Sequence, residues 1–216
     1  MQNVCIIVPH ADDETLGFGG AIQHHITQGD RVTVVICRSP HDRRTKEQID
    51  CSNAALKILG VQHSCFLNHT EKDISNTPLN LFRSVESILE KNNPDIVYTT
   101  FIGDVHQDHR ILFDCVARAI RVHGSLKVRT FLTGEIPSST DQACKEVSKQ
   151  FIPNYYIPIS QKYLHNKIAA MGAYTTESRL APHPRSPEYI ECLARMRGIE
   201  CGSKYAEAFM LMRQIL

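Results

Sequence analysis

The sequence has 216 residues, and its charges almost cancel: 24 Lys and Arg stand against 23 Asp and Glu, for a formal net charge of +1. This balance argues against a partner bound through bulk positive charge, so we expect no nucleic-acid partner. Hydrophobic residues make up 42% of the chain, which is enough for a packed core and excludes a disordered protein.

Strands and helices alternate along the first two thirds of the chain. Short β-branched runs predict buried strands, and amphipathic stretches that end at glycine predict the helices between them. The predicted strands are 3–9, 31–37, 63–67, 95–101 and 128–132. The predicted helices are a stretch that ends near residue 28, then 45–59, 80–91, 108–122, 160–173 and 186–197. This order indicates an α/β fold with a mainly parallel sheet and right-handed crossovers.

The pattern changes after the fifth predicted strand. Residues 138–158 are polar and irregular, and a proline-rich segment, 182–187, separates the last two predicted helices. The sequence contains no repeat and no flexible linker. We therefore expect one domain over residues 1–216, with an α/β core at 1–137 and a C-terminal extension, 138–216, packed on it.

The cysteines and the N-terminus carry information on the compartment. The chain has eight cysteines, but none are spaced as a CxxC pair. No basic region with a long apolar run follows the N-terminus, and no apolar run is long enough for a membrane span. We expect reduced thiols, a cytoplasmic location and no membrane span.

Two polar clusters follow predicted strands. The segment 9–14 (PHADDE) comes directly after the first strand, and 104–109 (DVHQDH) follows the strand at 95–101. In open α/β sheets, ligands bind outside the carboxyl ends of the strands. If the two strands are neighbours, the two clusters meet at one edge of the sheet.

Imidazole and carboxylate groups in these clusters suit zinc and related divalent ions. His10 and Asp13 are three residues apart, as are His106 and His109, and this spacing places side chains on one face of a helix start. Two ligands from the first cluster and one from the second would leave an open position for water. Alternatively, the acids only stabilise the N-terminus of a helix and the histidines are solvated loop residues. The occurrence of His and Asp in both clusters, each after a strand of the same sheet, favours a metal site over this alternative.

Most other histidines lack an acid cluster nearby. We interpret them as surface histidines or as histidines with satisfied hydrogen bonds: His24, His25, His41, His63, His69, His123 and His165.

The two motifs together resemble the PIG-L/LmbE family of metal-dependent N-acetylglucosaminyl de-N-acetylases. The resemblance rests on PHADDE at 9–14 and HQDH at 106–109. It extends to PDIV at 94–97, GEIPSST at 134–140 and YAEAF at 205–209, and so covers nearly the whole chain. It implies a Rossmann-like, mainly parallel sheet in a three-layer α/β/α arrangement, with Zn²⁺ or Fe²⁺ at the carboxyl edge. A bacterial origin is also implied, and a homo-oligomer is left open.

The resemblance also implies roles for residues of the two motifs. His10, Asp13 and His109 match the metal ligands of the family. Asp12 matches the general base that activates water. His106 matches the histidine that steadies the tetrahedral intermediate or protonates the leaving amine, and a protonated ring would hold the developing oxyanion.

Three further assignments are less constrained. Asp108 matches a residue that orients a histidine in support of catalysis. Arg44 is a candidate for substrate binding, although it lies upstream of the family's arginine, and this position favours the alternative of a solvated helix start. Arg185 is a candidate for the substrate rim, with an ordinary surface loop as the alternative.

The expected function is hydrolysis of the acetamide of an N-acetylated amino sugar or sugar conjugate. One alternative keeps the metal and replaces the sugar by a non-sugar N-acyl compound. Another is a non-catalytic, nucleotide-binding Rossmann-like protein. The glycines in 17–20 (GFGG) do not form a G-x-G-x-x-G motif, and we interpret them as sites of close helix packing.

Overall fold

A computed structural model describes residues 1–38, 43–70, 74, 78–144 and 146–216, with the side chains of all of these except 43–46. The strands are β1 (Asn3–Val8), β2 (Arg31–Arg38), β3 (His63–His69), β4 (Ile96–Thr100), β5 (Thr130–Gly134), β6 (Tyr155–Pro158) and β7 (Ala206–Gln214). The helices are α1 (Asp13–Thr27), α2 (Arg43–Leu59), α3 (Pro78–Asn92), α4 (Gln107–Ala119), α5 (Gln161–Ala173) and α6 (Pro187–Glu200). Two short 3₁₀ helices lie at Thr140–Gln142 and Val147–Lys149.

All seven strands join one sheet in the order β3-β2-β1-β4-β5-β7-β6. The strands from β3 to β5 pair in parallel, whereas β7 pairs antiparallel with both β5 and β6. This arrangement confirms the α/β fold with a mainly parallel sheet.

The sequence patterns missed the last two strands of the sheet. β6 lies inside the region that we predicted to be irregular, and it is only four residues long and ends in Pro158. β7 begins with small and acidic residues in the order Ala206, Glu207, Ala208, all of them buried. A buried glutamate interrupts the apolar run that would otherwise have indicated a strand.

Helices cover both faces of the sheet, in three layers. Along β1, the side chains of Val4, Ile6 and Val8 pack into one core, and those of Cys5 and Ile7 pack into the other. The first core includes residues of α1, α2, α5 and α6, and the second includes residues of α3 and α4.

Three of the eight cysteines are packing residues of the core, and the other five are half-buried or exposed. The eight cysteines are free thiols, and Cys5, Cys37 and Cys115 are buried in the second core. Burial raises the pKa of Cys5 to about 12, so this thiol stays protonated and unreactive at neutral pH. None of the helices in the described part of the chain has the length and apolar character of a membrane span.

Helix α1 packs closely against β7 and α5 through its glycines. A Cβ atom on Gly20 would lie 2.8 Å from Cγ2 of Ile159 and 2.9 Å from Cδ of Glu207. The Glu207 carboxylate accepts hydrogen bonds from the backbone N–H groups of Gly20 and Ala21, at 2.7 and 2.8 Å, and pairs with Lys167 at 2.6 Å. These contacts confirm that the glycine-rich segment serves close packing.

Candidate active site

The two polar clusters meet at one edge of the sheet. β1 and β4 are hydrogen-bonded neighbours and run parallel. The chain leaves β1 toward β2 and β3 on one side, and β4 and β5 lie on the other side, so this is the topological switch point of the sheet. The expected neighbourhood of the two strands is thus confirmed.

The first cluster forms a tight turn between β1 and α1. Asp12 is the N-cap residue of α1 and has a φ of 105°, a left-handed conformation that is rare for a residue with a side chain. Its carbonyl oxygen accepts hydrogen bonds from the N–H groups of Thr15 and Leu16, at 3.0 and 2.9 Å. Asp13 is the first helical residue, and its Oδ2 accepts a hydrogen bond from the N–H of His10 at 3.1 Å.

The second cluster forms the start of α4. His106 is the N-cap residue, and its Nδ1 accepts a hydrogen bond from the N–H of Asp108 at 3.2 Å. This cap sets the first helical turn so that His109 is buried, at 2% exposure, and faces the first cluster. His106 itself stays on the open side of the site, where it is exposed.

The donor atoms of three side chains are spaced as a coordination sphere requires. Oδ2 of Asp13 lies 3.2 Å from Nδ1 of His10 and 3.3 Å from Nε2 of His109. Two ligands at about 2.1 Å from a tetrahedral ion are about 3.4 Å apart. His10, His106 and His109 also each offer a ring nitrogen within 4.8 Å of the others. The donor set therefore fits a divalent cation such as zinc.

Each of the two imidazoles next to Asp13 has a carboxylate behind it. Oδ2 of Asp108 lies 2.9 Å from Nε2 of His10, and Oδ2 of Asp104 lies 3.1 Å from Nδ1 of His109. In metal sites, such carboxylates fix the tautomer and the orientation of the histidine ligand. The geometry leaves Nδ1 of His10 and Nε2 of His109 facing Asp13.

The charges at the site favour a cation. Burial alone would lower the pKa of His109, but the carboxylates of Asp13 and Asp104 raise it to about 10. Burial opposes ionisation of Asp13, yet the adjacent His109 and hydrogen bonds with both histidines hold its pKa below the usual range. The carboxylates of Asp13 and Asp104 therefore favour a positive charge between them. A proton on His109 supplies this charge, and a bound divalent cation would supply it in place of the proton.

Asp12 lies beside these groups and contacts an arginine. Its Oδ2 is 3.1 Å from Nη1 of Arg185, and the side chain is 3% exposed. Burial and then the charge of Asp13 raise the pKa of Asp12 well above its usual value, and Arg185 opposes this rise. Arg185 also pairs with Glu177 and donates from Nε to Oγ of Ser138 at 3.0 Å.

His106 differs from the protonated ring that the resemblance suggested. Burial and the neighbouring His10 and His109 lower its pKa. Its Nδ1 accepts a hydrogen bond from a backbone N–H, which requires a lone pair on that nitrogen. The structure thus favours a neutral imidazole, because a ring protonated on Nδ1 could not accept this bond, and the proton of the neutral ring is on Nε2.

Arg44 and two of the histidines that we assigned no role in the site remain to be considered. Arg44 is at the start of α2, and its side chain lies outside the described residues, as does His41. His25 is satisfied, as expected, by Asp30 and by the hydroxyl of Tyr98, each at 2.9 Å.

Sequence reasoning missed the residues that support the site. Asp104 was part of the second cluster but had no assigned role, and it accepts hydrogen bonds from the hydroxyls of Ser139 and Thr140. Glu14 and Tyr174 form a further buried pair behind Asp12. The sequence GEIPSST after β5 was a signal for the first of these contacts, but the resemblance did not say what the hydroxyls bind.

The fold and the site define the class of protein: a Rossmann-like α/β protein that carries a cluster of His and Asp side chains at the switch point of its sheet, with donor atoms at the spacing of metal ligands. The model of the PIG-L family, described as GlcNAc-PI de-N-acetylase, matches residues 5–120, more than half of the chain. The chain belongs to this family, which confirms the resemblance seen in the motifs.

Solved structures of the same fold cover nearly the whole chain. A conserved protein from Thermus thermophilus is 20% identical with a TM-score of 0.78, covering 100% of this chain and 97% of that chain. An N,N'-diacetylchitobiose deacetylase from Pyrococcus horikoshii is 18% identical with a TM-score of 0.77, covering 97% and 83%. A 4-carboxy-2-hydroxymuconate hydratase from Pseudomonas putida is 18% identical with a TM-score of 0.74, covering 100% and 98%. A comparison with curated protein sequences found no match. At these identities the likeness establishes the fold alone.

Proposed function

We propose that this protein is a metal-dependent de-N-acetylase that hydrolyses the acetamide of an N-acetylated amino sugar or sugar conjugate, releasing acetate and a free amine. The observation that carries the proposal is the Asp13 carboxylate set between His10 and His109 at ligand spacing, with the buried Asp12 next to it. Membership in the PIG-L family supports the same reaction.

His10, Asp13 and His109 are the residues that would hold the metal, with zinc or ferrous iron as the candidates. A divalent cation in this site would supply Lewis acidity and lower the pKa of water. Asp108 and Asp104 orient the two imidazoles from behind, at 2.9 and 3.1 Å. Their role is to present the correct ring nitrogen and to increase its basicity.

Asp12 is the general base of the proposed reaction. A base with a raised pKa takes a proton more readily, and burial raises the pKa of Asp12. The carboxylate accepts a proton from the attacking water. A positioned base of this kind contributes about 10²–10⁴-fold to the rate.

His106 is the group that faces the substrate from the open side. As a neutral ring it carries its proton on Nε2, because Nδ1 accepts a backbone hydrogen bond. Nε2–H is then placed to donate to the oxygen of the acetyl group as charge develops there. The leaving amine receives the proton that Asp12 took from water, because a neutral His106 ring has no second proton to deliver; protonation of the amine by His106, the other role that the resemblance implies, would require a ring protonated on both nitrogens.

Arg185 and Arg44 remain our candidates for substrate binding. The Arg185 side chain is 24% exposed and lies 3.1 Å from the Asp12 carboxylate, and both observations support a role for it in substrate binding. A sugar hydroxyl or an anionic group of the conjugate would be its partner. We keep Arg44 on the basis of the family resemblance alone.

The test compares metal-loaded protein with chelator-treated protein on N-acetylglucosamine, N,N'-diacetylchitobiose and a sugar nucleotide. We expect acetate release that chelation abolishes, and loss of about 10²–10⁴-fold in kcat for Asp12→Asn. Asp114→Asn on the exposed face of α4 is the matched control and should keep full activity. Metal-independent activity, or full activity in Asp12→Asn, would contradict the proposal.

Two alternatives are separated by the same experiments. A non-sugar N-acyl substrate would give activity on simple acetamides without ring hydroxyls. A nucleotide-binding protein would bind nucleotide tightly and contain no metal. Against the second alternative, the first turn after β1 carries Asp12, Asp13 and Glu14, and these carboxyls would repel a phosphate at the helix N-terminus.

A further inference from the structure

The backbone of Asp12 is held in a conformation that an aspartate does not adopt without support. Its φ of 105° and ψ of −29° lie in the left-handed half of the Ramachandran plot, where a side chain is rarely tolerated. Such residues persist only when the surrounding structure over-determines them. The surroundings of Asp12 therefore contain the groups that fix it.

The first of these groups is the carboxylate of Glu14. Its Oε2 accepts a hydrogen bond from the N–H of Asp12 at 3.0 Å. Glu14 is fully buried, and its Oε1 accepts hydrogen bonds from the hydroxyls of Thr15 at 2.7 Å and Tyr174 at 2.6 Å. Both oxygens are thus engaged by donors on the protein, and the side chain is not available as a metal ligand or as a base.

The second group is Tyr174, which lies 160 residues further along the chain from Glu14. It is the C-cap residue of α5, and it is 1% exposed. Because its ring is packed in the core, its hydroxyl offers a rigid anchor for Glu14. The same C-terminal region also supplies Arg185, which pairs with the carboxylate of Asp12.

We propose that Glu14, anchored by Tyr174, is a positioning residue that fixes the backbone of Asp12 and so keeps the Asp12 carboxylate aimed at the reacting water. This inference rests on the proposed function, in which Asp12 is the base. Glu14 touches neither substrate nor metal in this scheme. It acts through the N–H of Asp12.

The main variants are Glu14→Ala, which removes the acceptor, and Tyr174→Phe, which removes only the anchoring hydroxyl. The matched control is Tyr163→Phe, which also removes a tyrosine hydroxyl from α5. This hydroxyl donates a hydrogen bond to Thr27 at 2.7 Å, away from the site. We expect kcat to fall about 10²-fold in Glu14→Ala and roughly tenfold in Tyr174→Phe, because small misplacements of a catalytic group have effects of this size. KM and metal content should stay within about twofold of the wild type, and the control should match the wild type.

A double-variant cycle separates positioning from a general loss of structure. In the Asp12→Asn background the base is already absent, so Tyr174→Phe should cause little further loss of kcat. Equal losses in both backgrounds would overturn the inference, as would wild-type kcat in Tyr174→Phe and Glu14→Ala. If Glu14→Ala does not fold, Tyr174→Phe decides the question.

A crystal structure of each variant gives a readout that does not depend on the reaction. We expect the φ of Asp12 to relax toward negative values in Glu14→Ala. An unchanged φ would contradict the inference even if activity falls. If the wild type releases no acetate from any substrate, the proposed function fails, and the φ of Asp12 still decides whether Glu14 positions it.

Discussion

Replacing Asp104 by asparagine tests whether the support behind His109 controls metal affinity. The carboxylate is 1% exposed, and its Oδ1 accepts hydrogen bonds from the N–H of His106 at 2.8 Å and from the Ser139 hydroxyl. Its Oδ2 accepts a bond from Thr140 at 2.6 Å and lies 3.1 Å from Nδ1 of His109. Asparagine has the same shape, but its NH₂ group cannot accept any of these bonds.

The expected loss follows from this contact pattern. Whichever way the amide is oriented, one pair of donors loses its acceptor, and the orientation that keeps Ser139 satisfied turns the NH₂ group toward His109. Removing such a support typically lowers metal affinity by about 10–100-fold, which corresponds to about 1.4–2.7 kcal/mol. A buried donor without a partner costs a further ~1–3 kcal/mol of folding stability.

The assay is a competition titration of zinc against a chelator of known affinity, with thermal unfolding measured alongside. Ser139→Ala provides the comparison, because it removes one hydrogen bond to Asp104 but leaves both carboxylate oxygens in place. We expect this variant to lose stability while its zinc affinity changes little. Zinc affinity within about twofold of the wild type in Asp104→Asn would refute the idea that Asp104 supports the ligand.

Three further predictions concern zinc affinity against pH, stability against pH and a buried ion pair. Asp13 and Asp104 raise the pKa of His109 to about 10, so a metal ion must displace a proton from this ring. Zinc affinity should therefore rise with pH by up to about tenfold per pH unit below that value. A pH-independent zinc affinity would contradict this prediction. Protonation of His109 also stabilises the metal-free fold. This contribution is fully present below a pH of about 6.5 and is lost as the pH rises through about 10. Thermal unfolding of chelator-treated protein across this pH range measures the loss. Lys167→Met leaves the Glu207 carboxylate buried without its partner and should cost about 3–5 kcal/mol, or roughly 10 °C in Tm, with unchanged stability as the contradicting result.

The parallel core of the fold could be predicted because its signals are local. β1 and β2 are continuous β-branched runs, and the helices between strands show amphipathic spacing. β7 could not be predicted in the same way, since its assignment depends on pairing with β5, about 80 residues earlier in the chain. Its Glu207 reads as a surface residue in the sequence, yet it is buried because it bonds the N–H groups of Gly20 and Ala21.

The site divides in the same way between local and distant contacts. The meeting of the two clusters could be predicted because two short motifs follow two strands, and the parallel sheet brings those strands together. The choice of His10, Asp13 and His109 within the clusters came from the family resemblance. The protonation of His106 could not be read from the motif, because it depends on the cap that the ring forms at the start of α4.

The supports of the site come from distant parts of the chain, and this has a consequence for relatives. Ser139 and Thr140 reach Asp104 from 35 and 36 residues away, and Tyr174 reaches Glu14 from 160 residues away. A related chain can therefore keep both motifs and lose the distant hydroxyl groups that position the side chains of those motifs. At identities near 20%, a likeness establishes the fold alone, and our inference predicts that turnover in a relative depends on whether a hydroxyl lies at the position of Tyr174. A relative with both motifs but without that hydroxyl should bind metal normally and turn over slowly.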